Sequence, residues 1–201
     1  MRKITLSDVE RNPNAITQVV MSDGLRIILR ALRADDAFLL GAFFLGLSDD
    51  TKSRFGPHPF TTEEAENLCS HINFRETIRI IGVIDAEGEP RMIAYFIFIP
   101  GFGDRERERY AGRGIRLDAE SDCSVAPCIA DDFQNRGMGS ALMPRVLRIA
   151  KRLGYRRALL IGGVKAMNLR GIHFYEKMGF RKVGMFSTSG GIENYDMIME
   201  L

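Results

Sequence analysis

The stretch "ADDFQNRGMGSALMPRVLRIAKRLG", residues 130 to 154, sets Gln134, Gly137 and Gly139 directly before an apolar period that reads as helix. Glycine-rich turns that run into a helix N-terminus bind phosphates, because free amides converge there at the positive end of the helix dipole. The amides of Asn135, Arg136, Gly137, Met138, Gly139 and Ser140 are placed for such a cradle. Gly137 and Gly139 let the backbone approach an anion closely, and Arg136 adds a cation. Two other phosphate motifs compete. A Walker A loop requires GxxxxGK[ST], which the chain lacks. A dinucleotide fingerprint starting at Gly137 fails at Leu142, and no βαβ partner with an acidic ribose ligand follows. What remains is a pyrophosphate cradle, or a plain helix start that carries two glycines.

The elements that must position this turn can be read from periodicity. Leu25 to Leu32 is β-rich, and Phe38, Ala42 and Leu45 then share a helical face that Gly46 ends. Thr61 and Glu64 form a capping box ahead of Ala65, Leu68, Cys69 and Ile72, which predicts a second helix. "IRIIGVID" (78 to 85) and "RMIAYFIFI" (91 to 99), joined by "AEGEP", predict an antiparallel hairpin. The charged segment 100 to 120 reads as a solvated loop or hairpin tip. "SDCSVAPCIA" is the next strand, in which Pro127 predicts an edge, a bulge or a splay. Met138, Leu142, Val146 and Leu153 trace the face of the helix after the glycine turn, where Pro144 predicts a kink or altered first turns. "RALLIGGV" (157 to 164) is a strand, "MNLRGIHFYEKMG" a helix, and two strands close the chain. The order β-α-α-β-β-β-α-β-α-β-β predicts an α/β fold in one domain, residues 24 to 201. Residues 1 to 23 read as an arm, an extra strand or a disordered lead.

Bulk composition narrows the class. A chain of 201 residues can bury a sizeable core, and a formal net charge of +2 from 28 basic and 26 acidic residues points to no nucleic-acid or membrane partner. Cys69, Cys123 and Cys128 are odd in number with no CxxC pair, the apolar runs are too short to span a bilayer, and the N-terminus lacks a secretory core. A cytoplasmic location follows as the expectation. His58, His71 and His173 have no metal spacing, so no metal is expected.

Two motifs together carry a resemblance. "DDFQNRGMGSAL" resembles motif A of the GNAT acyltransferase superfamily, [QR]xxGx[GA] after a central strand, and "NLRGIHFYEKMGF" (168 to 180) is similar to its motif B, an Asn followed seven residues later by a Tyr and then by Gly-Phe. The resemblance covers roughly residues 24 to 201 and implies a mixed, mostly antiparallel sheet flanked by helices. "LSDDTKSRFGPHPFTTEEAENLC" (47 to 69) further resembles bacterial domains that include protein-lysine acetyltransferases.

The resemblance implies acetyl-CoA as cosubstrate, with its pyrophosphate on the amides of Asn135 to Ser140 after Gln134. The pantetheine arm would follow Pro127, Cys128 and Ile129, and Asn168 would bond to that arm. Tyr175 stands at the family's general-acid position; a phenol with pKa of ~10 keeps its proton at neutral pH. The family's usual base positions fall here on Ser124 and Gly163, so Glu120 or Asp122, which alternate with Ser124 along a regular strand, become the candidates. The implied reaction is direct attack of a primary amine on the thioester. The acceptor stays open between a small molecule and a protein lysine, with Asp118, Glu120 and Asp122 suited to a cationic one, and homodimerisation is left open. A non-catalytic acyl-CoA sensor is the alternative.

Overall fold

The computed structural model describes residues 3–201. The polar lead, of which Met1 and Arg2 lie outside the described residues, holds a short helix, α1 (Leu6–Arg11), capped by Thr5, a 3-10 turn, and a strand, β1 (Gln18–Ser22), that pairs antiparallel with β2 (Leu25–Ala31). Val9, Ile16 and Val20 are buried in the main core.

Helices α2 (Ala37–Gly46), α3 (Asp49–Arg54) and α4 (Thr62–Ser70) follow. The hairpin β3 (Ile78–Ala86) and β4 (Glu89–Pro100) comes next, then α5 (Asp104–Ala111) and β5 (Asp122–Ile129). The chain ends with α6 (Met138–Arg152), β6 (Arg157–Leu160), β7 (Val164–Lys165), α7 (Leu169–Lys177), β8 (Arg181–Ser187) and β9 (Glu193–Glu200). Strands β1 to β6 lie in sequence order, and only β5 and β6 are parallel, with α6 as their crossover. Strand β9 takes β6 and then β7 along one edge and β8 along the other. The result is the mixed, mostly antiparallel sheet that the motifs implied. An added side chain at Gly82 would meet Ala94 and Leu142, so that face lies under α6. Tyr95, next to Ala94, points the other way into Phe43 and Phe44 of α2.

Three local expectations are corrected. The segment 100 to 120 is not a solvated loop: α5 docks on β8 and β9, with the buried Tyr110 hydroxyl donating to Met197 O at 3.0 Å. Arg109 and Arg113 of that segment both reach Asp196, at 3.0 and 2.6 Å. "RALLIGGV" is not one strand, because Gly162 and Gly163 sit in left-handed conformations, φ +64 and +70, and turn the chain between β6 and β7. The short helix α3, between α2 and α4, leaves no signal in the sequence, because its six positions are too few for a period. Helix α6 runs unbroken through Pro144, whose ring lies on the exposed face.

Candidate active site

The site begins with a difference between the two edges of β5. Against β4 it is paired through to Ile129, while its pairing with β6 stops at Val125 opposite Leu160. The two strands diverge from there, and Pro127 lies in the stretch that has a neighbour on one side only. Backbone direction alternates along a strand. Asp122 O accepts from Gly101 and Ala130 N donates to Ile93, so the even-numbered residues bond to β4, and Val125 O accepts from Ile161 on the other side. Pro127 and Ile129 therefore direct their backbone groups into the opening. Pro127 offers a carbonyl and no N–H. Ile129 offers an N–H, its own carbonyl being taken by Gln134 Nε2 at 2.9 Å.

The glycine turn follows at the end of β5. Asn135 and Gly137 both adopt left-handed conformations, φ +59 and +79, and α6 starts without a side-chain cap. Among the described residues the amides of Asn135 to Ser140 donate to no carbonyl or side chain; Ala141 is the first that does, to Gly137 O at 3.0 Å. Those free donors at the positive end of a fifteen-residue helix are what an anion of the pyrophosphate class requires. Gly139 has a second reason to lack a side chain, since a Cβ there would lie 3.1 Å from the Phe174 ring. The guanidinium of Arg136 turns away from the cleft, to Asp23 at 2.6 Å and over the Phe133 ring.

A cleft of about 560 Å³ joins these parts. Of the residues the sequence singled out, Pro127, Cys128, Ile129, Gln134, Asn135, Gly137, Met138, Gly139, Ser140, Asn168 and Tyr175 line it, and Arg136, Glu120 and Asp122 do not. Tyr175 is half-buried, and burial pushes its phenol well above the ordinary value, so it stays protonated at neutral pH. Burial likewise raises the Cys128 thiol, which removes it as a nucleophile. Asn168 Oδ1 accepts from Gly171 N at 2.9 Å and so caps α7, leaving its amide donors for another partner.

The carboxylates expected to act as base are used elsewhere. Asp122 is fully buried at the opposite end of β5 and forms a two-point ion pair with Arg157, 2.7 and 2.6 Å. Glu120 is exposed in the preceding turn. No carboxylate and no imidazole lines the cleft among the described residues. At Gly163 an added Cβ would lie 2.6 Å from Tyr195 O, so that position holds no side chain either.

Sequence reasoning missed the residues that tie the cradle to α3. Asp131 accepts from Ser48 N at 2.8 Å and from the hydroxyls of Ser48 and Thr51, both at 2.7 Å. Gln134 Nε2 donates to Thr51 Oγ1 at 3.0 Å, and Arg170 donates to Gln134 Oε1 at 2.6 Å. Asp131 thus holds the start of a helix more than eighty residues earlier in the chain, and these bonds hold its carboxyl below the usual range. Among the described residues no three His, Cys, Asp or Glu side chains meet as a metal site, and no helix is long and apolar enough to cross a membrane.

A strand paired on one side only thus runs into a turn of free amides, and a protonated tyrosine lines the same cleft. The chain belongs to the acetyltransferase (GNAT) family, whose profile matches residues 48–180, and that family comprises acetyl-CoA-dependent N-acyltransferases. An acetyltransferase of Pseudomonas aeruginosa is 25% identical over 139 residues, which are 68% of this chain and 66% of that protein. The chain thus spans just under two thirds of that relative. Among solved structures, the GNAT domain of S. lividans PAT superposes with a TM-score of 0.70 at 22% identity, over 94% of this chain and 99% of that one. The aminoglycoside acetyltransferase AAC(6')-Ib in complex with coenzyme A and kanamycin gives 0.63 at 19% identity, over 87% and 94%.

Proposed function

We propose that the protein transfers an acetyl group from acetyl-CoA to a primary amine by direct attack on the thioester. The observation that carries this reading is the convergence in one cleft of the free amides of Asn135 to Ser140, the open edge of β5 and Tyr175. Acetyl-CoA, when bound, supplies the activated acyl group. The amides of the glycine turn hold the pyrophosphate, Arg170 stands beside them, and Asn168 and the Pro127 carbonyl meet the amide-bearing arm. Ile129 N–H is the open edge's one backbone donor among Pro127 to Ile129, and it meets a carbonyl of the arm between the pyrophosphate and Pro127. Tyr175 gives its proton to the departing thiolate. With no carboxylate or imidazole lining the cleft among the described residues, the acceptor amine loses its proton to water.

The AAC(6')-Ib neighbour in complex with kanamycin, a small polyamine, shares the fold, which supports a small molecule over a protein lysine on size and carries nothing on the acceptor's charge. The test is thiol release from acetyl-CoA with a pool of primary amines. Tyr175→Phe should lower kcat by about 10² to 10⁴-fold while acetyl-CoA affinity, read by calorimetry, stays unchanged. Tight binding with no thiol release from any amine would make the protein a sensor instead, a reading that the missing base favours. Absence of acetyl-CoA binding would overturn both.

A further inference from the structure

The cleft's charge is one-sided: its ionisable side chains include Arg54, Lys165 and Arg170 and no carboxylate among the described residues. Two of these cations have an evident partner or task. Arg170 bonds to Gln134 and Asn135 of the glycine turn and serves the phosphate end. Arg54 is paired with Asp50 at 2.9 Å. Lys165 is different. It stands on β7, across the opening from β5, with its backbone fixed by pairing to Asn194 and by Asn168 N donating to its carbonyl at 2.9 Å. The side chain of this half-exposed residue donates to Ser53 O at 2.6 Å, and among the described residues it forms no ion pair. An ammonium carries three donors, so further bonds remain to be made, and a neutral carbonyl leaves its charge uncompensated.

Resting on the transfer reading above, we infer that the acceptor is a small primary amine that also carries an anionic group, and that Lys165 is the residue that recognises it. The bonding partners distinguish this role from cofactor binding: Arg170 reaches Gln134 and Asn135 of the glycine turn, whereas the Lys165 side chain reaches Ser53 of α3. A second ammonium on the acceptor would meet like charge in a cleft with no carboxylate to offset it. The acidic run Asp118, Glu120 and Asp122, which suited a cationic acceptor, lies outside this cleft.

The test is acetyl transfer to primary amines of equal chain length ending in a carboxylate, a phosphate, a carboxamide or a second ammonium. The anionic acceptors should exceed the carboxamide in kcat/KM by roughly tenfold to a hundredfold, the worth of a hydrogen bond between charged groups, with the ammonium last. The carboxylate and phosphate arms distinguish the two sources of negative charge. Lys165→Met should bring the anionic acceptors down to the carboxamide, and Lys165→Glu should reverse the order, both with acetyl-CoA affinity unchanged. If wild-type transfer ignores the terminal group or favours the ammonium, this inference fails and the transfer reading stands. The same holds if Lys165→Met weakens acetyl-CoA binding without altering the order. If no amine in the series releases thiol although acetyl-CoA binds, the transfer reading fails and takes this inference with it.

Discussion

At the scale of single residues, His58 shows how burial sets a protonation state away from the cleft. Arg79 Nε donates to the Tyr95 hydroxyl at 3.1 Å, His58 Nε2 lies 3.2 Å from that hydroxyl, and Nδ1 lies 2.7 Å from Pro59 O. A neutral ring that donates from Nδ1 and accepts at Nε2 satisfies the whole series, inside a shell of Phe44 and Phe60. Burial pulls the His58 pKa below its ordinary 6.5. Below 6.5 the unfolded chain takes up a proton that the folded one still refuses, so stability falls as pH drops toward the folded value. Thermal melting should therefore drop as pH falls through and below 6.5, and His58→Gln should flatten that drop. An unchanged slope in the variant would assign the effect to other groups. Gly139 makes a related point about reading. Its spacing was legible as room for an anion, whereas its contact with Phe174 depends on how α6 meets α7 and leaves no mark in the local sequence.

At the scale of elements, the parts that sequence revealed are those whose cause is local. The glycine turn, the apolar face of α6, the Asn168 cap and the odd proline of β5 all announce themselves within a few residues. Helix α5 does not: "DRERERYA" carries two apolar residues, and what docks it is distant in sequence, the buried seat of Tyr110 and the charge of Asp196, 87 positions from Arg109. Asp196 is almost fully buried between Arg109 and Arg113, and Arg109 also stacks 3.9 Å from the centre of the Phe186 ring. Removing the carboxylate leaves the half-buried Arg113 without its counter-ion and Arg109 with Glu106 alone. Asp196→Ala should cost about 3–5 kcal/mol in chemical denaturation and detach α5 first. The tie between Asp131 and α3 was hidden for the same reason, since Ser48 and Asp131 are 83 positions apart. Asp131→Ala removes the acceptor at the start of α3 and should cost about 0.5–2 kcal/mol while weakening acetyl-CoA binding through Gln134. A loss of stability with undiminished affinity would show that α3 and the cradle are independent.

At the scale of the whole molecule, binding at the cleft touches both halves of the sheet together with α3, α6 and α7, so occupancy should stabilise the fold globally. Acetyl-CoA at about one hundred times its Kd should add about 2.7 kcal/mol. For a chain of this size that is a rise in Tm of about 5–10 °C by calorimetry. A shift confined to a minor early transition would mean that only part of the chain responds.

The divergence of β5 from β6 has one more consequence. Resealing it would require an N–H at position 127 and an extended backbone after Leu160, and Pro127 denies the first while Gly162 and Gly163 deny the second. The fold thus forgoes ladder bonds that an ordinary strand pair would make, a sacrifice of stability for activity written into both borders of the gap. Selection for thermal tolerance alone would favour residues at these positions that zip the sheet shut, and the most heat-resistant descendants of this chain would be the ones least able to hold a thioester.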